Sequence, residues 1–273
     1  MNLAGPAPAP RRTARAAAAP AEVPSLSGPH IPPRIRGPLA ALAAAAAGAA
    51  YVLAVRPRLL RWGATTQEAA GPLPGDEIVP APRMQSTRAV TIAAPVSDVW
   101  PWLVQLGAGR GGMYSYDWLE NAAGLGIHSA DRILPELQHL EIGDIIPLSR
   151  DGGLPVRLLQ SRAVLGLGGT IDLRTGRVSP ASVPPAGPWL EAGWTFVLRP
   201  AGPHASRLVS RTRYDYSPLA SGLVLRPLLE PVQFVMERRM LLGIRARAES
   251  RANARGGRYG KARGGGHGKA HGV

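Results

Sequence analysis

The sequence predicts an α+β domain with an antiparallel sheet and helices on one side. Three observations carry this. Two short helical patterns come early, short apolar or alternating runs separated by Gly and Pro cluster in the middle, and one long amphipathic stretch closes the domain. No helical pattern alternates with the strand-like runs, so a parallel sheet built of βαβ units is not expected.

The ends stand apart from that core. Residues 1–36 are rich in Pro, Ala and Arg, and residues 250–273 are mostly Gly, Ala, Arg, Lys and His. Neither stretch can bury enough apolar surface to offset chain entropy, so both are expected to be disordered. Between them lie an Ala-rich candidate membrane anchor at 37–61, an extended linker at 62–83 and a folded domain at 84–249. The anchor rests on Pro38–Val55, eighteen residues without a charge, bracketed by Arg34 and Arg36 before and by Arg56, Arg58 and Arg61 after. That length reaches the lower limit for crossing a hydrocarbon core, although most of it is Ala. A cleaved signal peptide competes, against a long leader of about 36 residues. Arginines on both flanks leave orientation open. The chain is thus expected at a membrane through this one segment and otherwise in the cytoplasm.

The formal net charge is +14 over 273 residues, and most of it sits outside the expected domain. Residues 1–61 carry +7, residues 251–273 carry +6, and 62–250 carry +1. A folded nucleic-acid reader would show a basic face on its ordered part, so nucleic acid is not the expected partner. The basic tails suit an anionic membrane surface. Cysteine is absent, which excludes disulfides and thiolate chemistry.

Within the domain, Arg83–Ala93 alternates as a strand does. Pro95 suits a helix start, Asp98 suits its first turn, and Val96, Val99, Trp100 and Leu103 follow at helical spacing through Leu106, with Pro101 as a kink. Gly107, Gly109 and Gly112 form a G-x-G-x-x-G. A helix precedes it rather than a strand, so it is read as a turn and not as a dinucleotide loop. Tyr114–Leu125 is a second short helix. Asp144–Leu148, Leu154–Leu159, Ala163–Leu167, Trp194–Arg199 and Arg207–Tyr214 are strands. Pro231–Glu249 is a helix about 28 Å long at 1.5 Å per residue. Its expected inner arc holds Leu228, Val232, Val235, Met236, Met240 and Leu242, and its outer arc Glu230, Gln233, Glu237 and Arg238. Arg239 falls inside the apolar arc, either snorkelling outward or meeting something buried and anionic.

The stretch GRGGMYSYDWLENAAGLGIHSADRI at 109–133 packs three large aromatics among acids, bases and amides. That mixture suits a cavity wall, where rings give a ligand bulk contact and a few polar groups orient it. The expected ligand-binding residues are Trp100, Tyr114, Tyr116, Trp118, His128, Met236, Arg239 and Met240. Tyr116, Asp117, His128 and Asp131 are the candidate acid–base groups, with His128 and Asp131 three apart so that on a helical turn the carboxylate could orient the imidazole. His128 with His139, and His267 with His271, lack further ligands at metal spacing. Neither metal nor cofactor is expected.

The segments TIAAPVSDVWPWLVQLGAGRGGMYSYDWLEN, IHSADRI and EPVQFVMERRMLLGI, spanning roughly 84–249, resemble the START-like superfamily, also called SRPBCC or polyketide cyclase/lipid-transport proteins. The YSYDWLEN-to-ADRI block resembles one bacterial subgroup of it. The resemblance implies a helix-grip fold, in which a curved antiparallel sheet wraps a long C-terminal helix around a hydrophobic cavity, with two short helices after the first strand. It also implies binding of a hydrophobic small molecule or lipid. Some relatives catalyse cyclisation or dehydration, so a cyclase- or dehydratase-type enzyme is the alternative. The superfamily has no shared catalytic triad to place on this chain.

Overall fold

The computed structural model describes residues 33–264 except 123, 125, 150–151, 180–185 and 219–220. The chain divides into two units, Met1–Gly48 and Ala49–Val273. In the first, the described residues form helix α1, which spans Pro33–Ala50. Ala supplies its helix propensity, and residues such as Leu42 stay exposed. Residues 1–32, expected to be disordered, lie outside the described set.

The second unit opens with a π-helical turn at Tyr51–Val55 and helix α2 at Arg56–Leu60. The segment expected to be an extended linker is folded. Thr65 and Glu68 form a reciprocal capping box at the start of α3, Thr66–Ala70, and a 3-10 turn follows at Asp76–Ile78. Leu73 joins Ala89, Val197 and Val209 in a small second core. Arg207 donates to Glu68, and Arg211 donates to Asp76 at 2.7 Å. The backbone N–H of Ala89 donates to the Trp62 carbonyl. Pro and Gly in this stretch shape the turns of a strap. Its apolar side chains and acids are what attach it.

Seven strands form the sheet: β1 Met84–Ile92, β2 Ile145–Pro147, β3 Gly153–Gln160, β4 Val164–Asp172, β5 Val178–Ser179, β6 Trp189–Pro200 and β7 Ser206–Ser217. Their order is β1-β7-β6-β4-β3-β2, with β5 pairing β4, and every pairing is antiparallel. β1 is an edge strand on its far side, and the strap's bond to Ala89 covers that edge. Gly168 has a specific role here. A Cβ on it would lie 2.2 Å from Cγ2 of Ile78, so its hydrogen lets the 3-10 turn settle against β4.

Helix α4 spans Val96–Val104 and α5 spans Asp117–Ala122, each shorter than its sequence pattern suggested. Val99 and Leu103 are fully buried. Between these helices Gly107 and Gly112 exchange backbone bonds of 3.1 and 3.0 Å, so the glycine run is a closed turn.

Helix α6 spans Ser221–Gly264, 44 residues. Pro231, expected at its first turn, lies inside it. The helix also continues into the segment expected to be a disordered tail. Arg251 and Arg255 both donate to the buried Asp98 of α4, at 3.1 and 2.7 Å. Residues 265–273 lie outside the described set.

The face that α6 turns inward differs from the expected one. Glu230, Glu237, Met240, Leu241, Ile244 and Ala248 are buried, while Val232 and Val235 are 53% and 44% exposed. Glu230 faces inward because Arg56 grips both its carboxylate oxygens at 2.7 Å. Arg88 of β1, fully buried, donates to Glu237 and to Ser86 Oγ and, through Nε, to the Leu59 carbonyl. The sheet is curved about the helix, and the main core lies between them.

Candidate functional site

A cavity of about 350 Å³ lies between the inner faces of β6 and β7 and the middle of α6, with Met113, Ser115, Glu120 and Ile127 also on its lining. Its apolar wall combines Leu190, Ala192 and Trp194 of β6 with Leu154, Ile171, Leu148, Ile127 and Met113. Met236 and Met240 contribute from α6. Thioethers on rotatable chains adapt to guests of irregular shape.

The polar groups on the wall are few and individually placed. Gln233 donates to Thr212 Oγ1 at 2.7 Å, and that hydroxyl also lies 2.6 Å from Ser86 Oγ. Trp194 donates through Nε1 to Ser210 at 2.9 Å. Burial pushes the Tyr214 hydroxyl well above the usual phenol range, with nearby Glu237 adding to the effect, so it keeps its proton.

Two carboxyl groups also border the cavity. Glu120, at the inner side of α5, accepts a hydrogen bond from Ser115 Oγ at Oε1, while Oε2 has no partner among the described residues. Burial raises its pKa above the ordinary glutamate value. Glu237 accepts from Arg88 at Oε2, and its Oε1 is likewise unpartnered among the described residues. Both residues are 4% exposed. Buried oxygens of this kind are uncommon, because each forgoes hydration without replacement.

The residues expected at the site are only partly brought together. Met236 and Met240 line the cavity, and Trp100 does not. Trp100 belongs to the core around α4. Tyr114 is buried against Trp102, edge to face at 5.8 Å, with the Arg247 guanidinium 5.0 Å from its ring. Burial pushes its hydroxyl up to about 12. Tyr116 packs edge-on against Trp118 and beneath Arg239, 5.6 Å from the ring, and Trp118 is 70% exposed. Arg239 is itself exposed, so its head lies outside the core.

The expected acid–base groups serve the loop instead. Asp117 accepts from the backbone N–H and the hydroxyl of Ser129, at 2.7 and 2.6 Å, fixing residues 127–130 beside α5. Those residues are not helical, so the spacing of His128 and Asp131 does not stack them. His128 is exposed, and Asp131 pairs with Arg247 at 3.0 Å. Among the described residues no group of three metal-ligating side chains converges.

Glu120, Glu237, Gln233 and Tyr214 are the cavity groups that sequence reasoning missed. One signal was present. Glu230, Gln233 and Glu237 recur at helical spacing, and a polar stripe in a helix that must cover a sheet has two possible orientations. What decides between them is Arg56 and Arg88, distant in sequence.

No family model matches the chain, and no curated protein matches its sequence. Several solved structures do. A hypothetical protein from Helicobacter pylori is 13% identical with a TM-score of 0.38, covering 68% of this chain and 99% of its own. A conserved protein from Geobacillus kaustophilus is 11% identical at 0.35, covering 61% and 96%. A point mutant of norcoclaurine synthase from Thalictrum flavum, solved with a transition-state analogue, is 16% identical at 0.33, covering 62% and 95%. No residue role is carried across from them. Strand order and gripping helix together give this chain a helix-grip fold, a curved antiparallel sheet wrapped around the long C-terminal helix.

Proposed function

We propose that the protein binds a hydrophobic small molecule or lipid in this cavity without transforming it. The observation that carries the reading is the hollow itself. Its wall is mostly Leu, Ile, Met and Trp, and a few fixed polar groups punctuate it. A volume of about 350 Å³ left unfilled would forfeit dispersion contacts along the whole lining, which an apolar guest restores. The helix at Ala41–Leu60, apolar and unburied, supports a position at a membrane, where such guests partition. The basic residues near both ends suit an anionic lipid surface.

The test is extraction of the purified full-length chain, with mass spectrometry of whatever small molecule accompanies it. A roughly stoichiometric apolar compound is expected, and Met240→Trp should deplete it by filling the cavity. An extract with no such compound, or one that Met240→Trp leaves unchanged, overturns the proposal.

A second reading is an enzyme of the cyclase or dehydratase type. One observation favours it: the buried Glu120 carboxyl, with its raised pKa, is a group able to exchange a proton nearer neutrality than an ordinary glutamate. Any turnover found should then fall in Glu120→Gln by at least about 100-fold.

A further inference from the structure

We infer that the guest of this cavity is an apolar amine, bound as its cation with the ammonium against the free carboxyl oxygens of Glu120 and Glu237. This rests on the proposal that the cavity is a binding site, and it adds the chemistry of the guest's head.

Charge on the wall is the first ground. Glu120 and Glu237 are the carboxylic acids on the lining, and among the described residues no Lys, Arg or His lines the cavity. The guanidinium of Arg88 pairs with Glu237, and among the described residues no cation pairs with Glu120. Ser115 gives Glu120 one neutral hydrogen bond, and Asp117 stands near enough to add negative potential. The wall therefore carries an uncompensated acid in apolar surroundings.

The second ground is the pair of unpartnered atoms. Glu120 Oε2 and Glu237 Oε1 are both buried, and both belong to cavity-lining residues. A carboxylate oxygen accepts hydrogen bonds, so the missing partner is a donor. An ammonium offers three donors and a positive charge, and in a partly dry site its bond to a carboxylate is stronger than a neutral one. A fatty acid would set its carboxylate beside the uncompensated acid Glu120, and like charges at close range oppose binding. The apolar remainder of the guest would lie along Trp194, Leu190, Met236 and Met240.

The test uses the full-length protein reconstituted in lipid nanodiscs and titrated calorimetrically with 4-phenylbutylamine, 4-phenylbutanol and 4-phenylbutyrate at neutral pH. These probes share one apolar body and differ in the head. The amine is expected to bind at least ten-fold more tightly than either partner. Glu120→Gln, nearly isosteric, should remove that preference, and Met240→Trp should abolish binding, with Met236→Phe as a milder filler should the larger one fail to fold. Equal or tighter binding of the alcohol or the carboxylate, or an unchanged preference in Glu120→Gln, overturns the assignment of an amine while leaving the cavity a binding site. No binding of any probe, or binding that both filling variants leave intact, overturns the assignment together with the reading on which it rests.

Discussion

At the scale of single residues, Glu120 is a buried acid whose second carboxyl oxygen lacks a partner among the described residues. A buried acceptor left without a partner costs about 1–3 kcal/mol, and the cost is greater when the group is charged. Its pKa is raised in the folded state, chiefly by burial. The folded protein therefore holds this proton to higher pH than the unfolded chain does. The contribution is favourable below the ordinary glutamate pKa of 4.5 and is lost as pH rises through the raised value. Glu120→Gln removes the ionisation and keeps a carbonyl for Ser115. The variant should melt higher than wild type at pH 8, by the equivalent of about 1 kcal/mol, with the gap closing toward pH 4. Thermal melts of both proteins across that range check it. A gap that widens on acidification would mean that Glu120 is stabilised as a carboxylate.

At the scale of elements, the strap shows how polar residues attach one layer to another. Glu68 accepts from Arg207 at 2.8 and 2.7 Å while closing the capping box with Thr65. The hydrogen bond from Arg207 is the main reason its pKa falls from 4.5 to about 2. A depressed carboxylate contributes stability above its unfolded pKa and loses it as pH falls through the folded one. The strap should therefore hold fully above about pH 4.5 and loosen between there and pH 2. Glu68→Gln should weaken it already at pH 7, by on the order of 1–2 kcal/mol for a partly screened, bidentate pair. The amide of Ala89, bonded to the Trp62 carbonyl, reports directly. Its hydrogen exchange should quicken about ten-fold or more in the variant at pH 7, and both proteins should behave alike near pH 2.

The same elements show what could be read in advance and what could not. Strand and helix order followed from local period, since the alternation in Thr87–Ile92 and the spacing of Val96, Val99 and Leu103 are set by neighbouring residues. The strap was hidden because Pro72, Pro74 and Gly75 signal turns, and turns serve an exposed linker and a packed one equally well. Its attachment depends on Arg207 and Arg211, more than a hundred residues away. The inner face of α6 was misjudged for a related reason. Hydropathy places Val232 inside and Glu237 outside, whereas a guanidinium with no exposure on β1 reverses the preference at Glu237. Of the residues expected to bind a ligand, Met236 and Met240 do lie on the cavity wall, a place legible from apolar residues on a covering helix. The tyrosines at 114 and 116 were less so, because an aromatic among acids looks the same in a cavity wall as beneath an arginine.

At the scale of the whole molecule, the question is whether the apolar N-terminal helix holds the domain at a bilayer. The uncharged run from Pro38 to Val55 would reach about 27 Å as a helix, against a hydrocarbon core of about 30 Å. Arg56 ends the run, and its side chain is engaged by Glu230 of α6. Gly48 offers a clean test, because a Cβ placed there meets nothing within 4 Å and the residue lies on an exposed helix. Gly48→Arg should thus leave the folded domain unchanged while adding about 2.5–3.5 kcal/mol against insertion near the middle of a span already weak in Leu and Ile. Wild-type protein should stay with the membrane pellet through an alkaline carbonate wash, and the variant should move largely to the supernatant with the same melting temperature. If both proteins wash off equally, the helix does not span, and the guest proposed for the cavity would have to arrive from solution rather than from the bilayer.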